Sequence, residues 1–358
     1  MLLPCCPTLE PRVRSIFTSG GVVVRRNFAL LALTAAACSG TLTGLTLGSR
    51  AIVVGNGFEA ALSGSKVVWA PYTQSGTPVY VMDLSTGTRD TVVAAGGPTE
   101  PYYPSIDGTA IVWVSFTVDT AGQTQSRIAL GDLEGAPPRY LTSGLSIVGF
   151  PKISGSHVVW QEQQPNLTDW NVVVYDTLTG DTTLVVSGPE AFPGPAIDGD
   201  NVVYSHLVGR TSGGSPISCI RLFNLTTRET QTLSPDSGAE GNVAISGDGV
   251  VWVDHSDSTS DIMYRNIATG AIINITKNRG NAGFPSISGE RIVWEDHRNG
   301  DSDIYLYDLS TGQETRVTDA PGDQVTPSIS RNWIVWVDKH APWRIMADRV
   351  PTAASSTP

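Results

Sequence analysis

The stretch that decides the fold is residues 285–318, PSISGERIVWEDHRNGDSDIYLYDLSTGQETRVT. It contains four short runs of β-prone residues, which are Pro285–Ser288, Arg291–Asp296, Asp303–Asp308 and Glu314–Thr318. Gly289 and Gly312 stand in the turns after the first and third runs, where glycine adopts a positive φ at little cost. Residues 285–318 therefore predict one four-stranded β-sheet with two tight turns.

An aromatic residue that closes a Val/Ile pair recurs along the chain at the position of Trp294. The seven residues are Trp69, Trp113, Trp160, Tyr204, Trp252, Trp294 and Trp336. They are 44, 47, 44, 48, 42 and 42 residues apart, and six of the nine tryptophans occupy this one position. A period in the low to middle forties is typical of four-stranded propeller blades.

The two tight turns recur with the same period. The first turn repeats as Ser63-Gly64, Asp107-Gly108, Ser154-Gly155, Asp198-Gly199, Ser246-Gly247 and Ser288-Gly289. In the seventh repeat, Arg331 stands where the others have glycine. The second turn repeats with Gly87, Gly135, Gly180, Gly270 and Gly312, and Arg228 replaces the glycine in the fourth repeat. The high glycine content of the chain therefore reflects turn chemistry.

The chain has seven copies of the first three strands, but the seventh copy ends at Asp348 without a fourth strand. At the other end, residues 51–54 read AIVV and have no sheet of their own. We expect them to supply the outer strand of the last blade, which closes the ring and removes an open edge. Residues 51–350 provide the roughly 300 residues that seven such blades need. The prediction is an all-β, seven-bladed β-propeller, with six blades as the alternative.

The repeat Pro-x-Ile-Ser-Gly, then Ile-Val-Trp-x-Asp, then Asp-Ile-Tyr-x-Tyr-Asp-Leu-x-Thr-Gly resembles the TolB-type propeller repeats of periplasmic and surface proteins. The resemblance covers about 300 residues, is specific for the repeat class and implies a propeller fold. TolB itself carries an α/β domain before a six-bladed propeller. Only residues 39–50 lie between the signal described next and the first strand, which argues against the TolB role itself.

The N-terminus has the features of an export signal. Arg25 and Arg26 precede an apolar run that starts at Phe28 and ends in three alanines before Cys38. The basic pair with Phe28 resembles a twin-arginine export motif, and Ala-Ala-Ala-Cys resembles a lipobox whose cysteine receives the lipid. We therefore predict a signal peptide at residues 1–37, a lipid-anchor linker at 38–50 and a disordered tail at 351–358. Residues 1–21 precede the basic region and suggest a start codon assigned too early.

The composition limits the classes of partner that the protein could bind. The net charge is −11 and the pI about 4.8, which argues against nucleic acid because an acidic surface repels phosphate. Processing at Cys38 removes four arginines and one glutamate, so the net charge becomes −14. If Cys38 carries lipid, Cys219 is left alone, and neither a disulfide nor a thiolate metal site is expected. No cofactor-binding motif occurs.

Four histidines follow the second strand of consecutive blades, at His206, His255, His297 and His340. We expect them on the face that carries the long connections, and they are weak catalytic candidates for a polysaccharide lyase or a glycoside hydrolase. They stand two, three, three and four residues after the strand aromatic, so their side chains need not converge. No shared metal is therefore predicted. The longest connections on this face are expected at residues 114–126 and 205–218, and the glycines of the second predict a mobile loop.

Carboxylates recur at the same level, at Asp254, Asp296 and Asp338, with Glu162 nearby. A glycosidase needs two such groups at a controlled separation. Repetition at equivalent positions favours instead a structural role in which each carboxylate bonds its own blade. With Arg298, the three aspartates mark the predicted binding face. The expected function is that of an exported, lipid-anchored, monomeric module that binds an envelope protein or glycan; a carbohydrate-active enzyme is the alternative.

Overall fold

A computed structural model describes residues 51–71, 78–92, 100–118, 122–163, 169–189, 194–234, 239–255, 259–277, 279–340 and 342–351. The predicted signal peptide, the anchor cysteine and the tail after residue 351 lie outside these residues. The described residues form 28 strands in seven four-stranded antiparallel sheets. The structure confirms the predicted all-β propeller with seven blades, and the six-bladed alternative is wrong.

The strands follow the chain in blade order. The first strand is β1 (Ile52–Asn56). Blade 1 contains β2 (Glu59–Ser63), β3 (Lys66–Ala70), β4 (Tyr80–Asp83) and β5 (Thr88–Thr91). Blade 2 contains β6 (Glu100–Asp107), β7 (Ala110–Val118), β8 (Thr124–Asp132) and β9 (Arg139–Tyr140). Blade 3 contains β10 (Ile147–Ser154), β11 (His157–Gln163), β12 (Asp169–Asp176) and β13 (Thr182–Pro189).

The remaining four blades repeat the arrangement. Blade 4 contains β14 (Ala196–Asp198), β15 (Asn201–Arg210), β16 (Pro216–Asn224) and β17 (Thr230–Thr232). Blade 5 contains β18 (Glu240–Ser246), β19 (Gly249–Asp254), β20 (Asp261–Asn266) and β21 (Ile272–Asn274). Blade 6 contains β22 (Ala282–Ser288), β23 (Arg291–Asn299), β24 (Asp301–Asp308) and β25 (Gln313–Arg316). Blade 7 contains β26 (Gln324–Ser330), β27 (Trp333–Asp338) and β28 (Arg344–Arg349) and is completed by β1.

The ends of the chain close the ring as predicted. Strand β1 pairs antiparallel with β28, with Ile52 opposite Ala347 and Val53 opposite Met346. The innermost strands of neighbouring blades contact one another around the whole ring, and β2 of blade 1 contacts β26 of blade 7. Blade 7 thus joins two segments that are nearly 300 residues apart in sequence.

The turn positions adopt the backbone conformation that the glycines suggest. All six glycines of the first turn and all five of the second have positive φ. Arg331 (φ 53°) and Arg228 (φ 62°) take the same left-handed conformation without being glycine. The fold therefore imposes the turn even where the residue type disfavours it.

A closed ring of hydrogen bonds links the first turns of all seven blades. In each blade, the Ser or Asp before the turn accepts a bond from the backbone N–H at the turn of the next blade. The donor and acceptor pairs are Gly108–Ser63, Gly155–Asp107, Gly199–Ser154, Gly247–Asp198, Gly289–Ser246, Arg331–Ser288 and Gly64–Ser330, at 2.5–3.2 Å. The last pair bridges blades 1 and 7, so the ring has no break.

The repeated aromatic residue explains how the blades pack. The seven aromatic side chains are at most 5% exposed. Each lies in a separate apolar cluster between its own blade and the preceding one, as Trp294 does with Val251 and Ile262 of blade 5. Trp69 packs in this way against blade 7, with Val335 and Ile345. Among the described residues, no helix has the length and apolar character needed to cross a membrane.

One segment differs from expectation. The sequence predicts a long mobile loop at residues 205–218, but β15 and β16 extend through most of it as a hairpin. A short turn closes the hairpin, with the Thr211 N–H donating to the Ser215 carbonyl at 2.8 Å. The Arg210 guanidinium adds a bond to the Gly214 carbonyl at 3.0 Å. Backbone pairing thus orders a segment whose glycines suggested mobility. Residues 114–126 behave similarly where the structure describes them, since β7 and β8 extend through Val118 and from Thr124.

Candidate functional site

Two of the four predicted histidines, His206 and His297, lie within the second strands β15 and β23 rather than after them, whereas His255 and His340 follow β19 and β27 as predicted. His206 is half-buried in β15 with its ring edge-on to Tyr204, whereas His255, His297 and His340 are exposed. The backbone N–H groups of His255 and His297 bond carbonyls at the start of their own blades, those of Ala239 and Asn281. Across the described part of the chain, no group of three or more His, Cys, Asp or Glu side chains could hold a metal ion.

Two of the predicted carboxylates, Asp296 and Asp338, form hydrogen bonds within their own blades. Asp296 is fully buried and accepts bonds from the Trp294 indole at 3.1 Å, the Arg298 backbone N–H at 2.9 Å and the Arg298 guanidinium. Asp338 accepts a bond from the backbone N–H of His340 at 2.9 Å. These contacts agree with the structural role that their repetition suggests.

Arg298 belongs to the same network. Its guanidinium also bonds Glu314 at 2.7 Å and lies 4.3 Å from the centre of the Tyr305 ring. Glu314 in turn accepts a bond from Arg279 at 2.7 Å. Since Arg298 is only 13% exposed, its charge is used to hold blade 6 together. The sequence did not identify Glu314 or Tyr305, because they lie on strands outside the predicted row.

The structure reveals a groove between blades 2 and 3 that the sequence did not predict. Its volume is about 370 Å³, within the range of small-ligand sites. One wall is the connection after β9, and the floor is one face of the blade 3 sheet. The lining residues are Leu141, Thr142, Ser143, Ser146, Trp160, Glu162, Asn171, Val173, Thr182 and Leu184.

Strand register explains the composition of the groove floor. Trp160, Val173 and Leu184 are opposite one another across β11, β12 and β13 and form an apolar row. The neighbouring pair, Glu162 and Asn171, forms a polar row two residues further along. The floor is therefore amphipathic, with apolar and hydrogen-bonding groups side by side.

Several polar groups in the groove form no hydrogen bond to the residues that the structure describes. Glu162 accepts a bond from the Trp160 indole with one oxygen, at 3.1 Å, and its other oxygen has no protein donor within the described residues. The side chains of Ser143, Asn171 and Thr182 likewise form no hydrogen bond to described residues. Thr142, by contrast, is committed, since its hydroxyl accepts the backbone N–H of Ile128 at 3.0 Å. The groove thus offers both donors and acceptors.

The unequal outer strands of blades 2 and 3 create this space. The outer strand β9 has two residues, whereas β13 has eight. After β9 the chain turns away from the blade 2 sheet. The hydrogen bond that the Thr142 hydroxyl accepts from the Ile128 N–H holds this turn in place. Thr276 and Thr318 bond Ile262 and Ile304 in the same way after the outer strands of blades 5 and 6. Blade 3 continues to pair instead, and leaves part of its sheet uncovered.

Two charged residues near the ring axis were also missed. Glu59 of β2 accepts the backbone N–H of Tyr103 at 2.6 Å, and burial raises the pKa of Glu59 to about 7. Lys152 of β10 is the only Lys or Arg on the seven innermost strands. It is exposed to solvent, yet desolvation by the surrounding strands lowers its pKa while the Glu59 charge opposes that shift. Lys152 replaces Ser or Ala at this repeat position, which is the signal that could have found it.

Solved structures share the propeller fold. The propeller domain of the Trilobed protease from Pyrococcus furiosus matches with a TM-score of 0.65 at 11% identity, over 82% of this chain and 95% of that one. An oligogalacturonate lyase in complex with manganese matches with a TM-score of 0.61 at 15% identity, over 84% and 91%. TolB from Acinetobacter baumannii matches at 0.49 and 13% identity, over 80% and 79%. At such identities the similarity is one of fold, and the TolB score is too low to support an argument.

No family model and no curated protein sequence matches the chain. The protease domain is described as having an open Velcro topology, whereas β1 closes blade 7 here. The fold implied by the repeat resemblance, a β-propeller, is confirmed by the seven blades and by the similarity to the propeller domain of the Trilobed protease.

Proposed function

We propose that this chain is an exported, lipid-anchored β-propeller that binds a protein or glycan of the cell envelope. The observation that carries the proposal is the use of its charged side chains. The Arg298 guanidinium donates to both Asp296 and Glu314, whereas the polar groups in the groove between blades 2 and 3 remain accessible to a ligand. A rigid scaffold that presents accessible polar and apolar groups in a groove is typical of a binding module.

The ring supports the same function. Seven hydrogen bonds and seven aromatic clusters join consecutive blades, so the connections between blades are held on a fixed frame. Binding loses less entropy when the site is already organised. The acidic charge further favours partners that are not nucleic acids.

The proposal of export and lipid anchoring is based only on the sequence of residues 25–38. Lipid on Cys38 would hold the propeller at a membrane surface, facing the periplasm or the cell exterior. The test is the distribution of the Cys38→Ser variant between membrane and soluble fractions. We expect the variant to become soluble, and unchanged membrane association would contradict the anchor. A block in export when Arg25 and Arg26 are both replaced by lysine would test the twin-arginine motif.

The binding function is tested by capture from solubilised envelope with the purified protein as bait. An enriched protein or glycan supports the proposal, provided that a bait of another seven-bladed propeller does not retain it. Recovery of nothing above that control would contradict it. We expect the protein to act as a monomer, which sedimentation during the same preparation checks.

A carbohydrate-active enzyme is the second candidate, and the raised pKa of Glu59 is what favours it. A carboxyl group with a pKa of about 7 holds its proton near neutral pH, as a general acid must. The test incubates polysaccharides with the protein and measures new reducing ends for a hydrolase and unsaturated ends for a lyase. Activity that is lost in Glu59→Gln would favour the enzyme over the binding module.

A further inference from the structure

The groove between blades 2 and 3 combines features that suit one class of ligand. Its floor exposes Leu184, the outer end of an apolar row in which Trp160 and Val173 are buried. The polar pair Glu162 and Asn171 lies beside this row. A sugar ring has the same arrangement, with C–H groups on its faces and hydroxyl groups on its edge. Hydroxyls both donate and accept hydrogen bonds, and the groove provides a free carboxylate oxygen, an amide and further hydroxyls.

The charge of the groove excludes acidic ligands. Glu162 is the only ionisable residue among the ten that line it, and no Lys or Arg is among them. An anionic ligand would meet an uncompensated carboxylate on a protein of net charge −11. A neutral ligand pays no such cost, and its hydroxyls can donate to the carboxylate in a charge-assisted bond.

An extended peptide fits the groove less well. It would bind by adding a strand to the free edge of β13. That edge is interrupted, because β13 has a bulge at Val185, between the pairs Val172–Val186 and Val173–Leu184. A bulge breaks the regular spacing of backbone donors and acceptors and is a device that protects edges from pairing.

We propose that the groove between blades 2 and 3 binds a short segment of a neutral glycan. Hydroxyls of a sugar ring donate to the free Glu162 oxygen and exchange hydrogen bonds with Asn171, while the ring face covers Leu184. This inference rests on the proposed binding function and narrows its partner to an uncharged saccharide. Leu184 is 58% exposed without a ligand, so covering it adds a hydrophobic contribution.

The experiment measures retention of the purified chain on immobilised neutral oligosaccharides, with uronate-containing oligosaccharides in parallel. The gluco-, manno-, galacto- and xylo- series cover the common neutral backbones. Glu162→Gln and Leu184→Asp alter the two rows of the floor separately. Leu178→Asp is the matched control, because Leu178 is 84% exposed on the same blade but lies outside the groove. Thermal unfolding of each variant verifies that it is folded.

We expect binding to a neutral series, weakened roughly tenfold or more by Glu162→Gln and by Leu184→Asp and unchanged by Leu178→Asp. Preference for uronates, equal binding by all variants or retention by no saccharide would overturn the proposal. The broader function survives such a failure if envelope capture still enriches a protein, and that capture should then be insensitive to Leu184→Asp. Failure of both experiments would reject the binding module itself.

Discussion

Residues at equivalent positions of the seven blades differ in what they contribute. The position two residues after the repeated aromatic holds Glu162 in blade 3 and Asp296 in blade 6, and both accept a bond from the indole of their own tryptophan. The Asp296 carboxylate also accepts hydrogen bonds from Arg298, whereas one Glu162 oxygen has no donor among the described residues and lines the groove. One repeat position thus holds a buried network together in one blade and lines a groove in another.

Asp296→Ala should reduce stability strongly. The change leaves the Arg298 charge without its buried partner and removes the acceptor of the Trp294 indole. We expect a loss of about 3 kcal/mol in the free energy of unfolding, measured with urea. The control, Asp338→Ala, removes a single bond to a backbone N–H and should cost about 1 kcal/mol. If Asp296→Ala unfolds like the wild type but loses its ligand, Asp296 belongs to the binding face after all.

Glu240→Gln should change how stability depends on pH. Burial raises the pKa of Glu240 to about 7, against an opposing hydrogen bond from Ser234, and the Asp254 charge adds to the rise. The folded protein therefore binds this proton more tightly than the unfolded chain. The stabilisation that this bound proton contributes is complete below the ordinary glutamate pKa of 4.5 and is lost as pH rises through the raised pKa of about 7.

The variant should accordingly gain stability at pH 8 relative to the wild type, by about 2 kcal/mol, and little at pH 4. Urea unfolding at several pH values measures the difference. Glu229→Gln replaces an exposed glutamate and serves as the control. Parallel pH profiles for wild type and Glu240→Gln would contradict the assignment.

At the scale of elements, the turns carry most of what the sequence could predict. The first turn needs a left-handed residue, and glycine supplies it in six blades. Because that requirement repeats with the aromatic period, strand number and order follow from the sequence alone. The hydrogen-bond ring was not predicted, although its Ser and Asp residues are visible before each turn. Their donors lie in the next blade, 43 to 49 residues away in six pairs and 266 residues away in the pair that closes the ring, and only the assembled ring brings donor and acceptor together.

Exchanging residues at equivalent first turns should produce effects of opposite sign. Arg331→Gly relieves the left-handed strain at φ 53° and should stabilise the protein by a few tenths to about 1 kcal/mol. Gly289→Ala introduces that strain in blade 6, where a Cβ meets no other atom, and should destabilise by about 1 kcal/mol. Denaturation midpoints of the two variants measure both effects. Destabilisation by Arg331→Gly would mean that the arginine side chain stabilises the ring.

For the whole molecule, the repeat predicts the ring of seven blades but not the places where individual blades differ from the repeat. The groove depends on β9 stopping after two residues while β13 continues for eight with a bulge at Val185. None of these features follows from β propensity. The end of β9 depends on the hydrogen bond between the Thr142 hydroxyl and the Ile128 N–H, and the bulge depends on the pairing of β13 with β12. For the four predicted histidines, the sequence predicts a position along the blades but not whether the side chains meet. Sequence spacing placed the four residues at one level of four blades, but side-chain direction and depth, which decide convergence, are set by local packing.

The closure of the ring by β1 gives a final prediction for the whole molecule. Val54 of β1 is fully buried in the cluster that joins blades 7 and 1, together with Trp69 and Ile345. Its neighbour Val53 points outward and is 44% exposed. Val54→Ala should cost about 2 kcal/mol through the cavity that it leaves, whereas Val53→Ala should cost a few tenths.

Because blade 7 contains both ends of the fold, loosening β1 should weaken all seven blades at once. The urea transition of Val54→Ala should therefore remain a single step, seen at the same midpoint by tryptophan fluorescence and by circular dichroism. Two separate transitions would show that blade 7 opens independently, while the five first-turn hydrogen bonds among blades 1 to 6 keep those blades folded. Equal stability of the two valine variants would contradict the role of β1 as the closing strand.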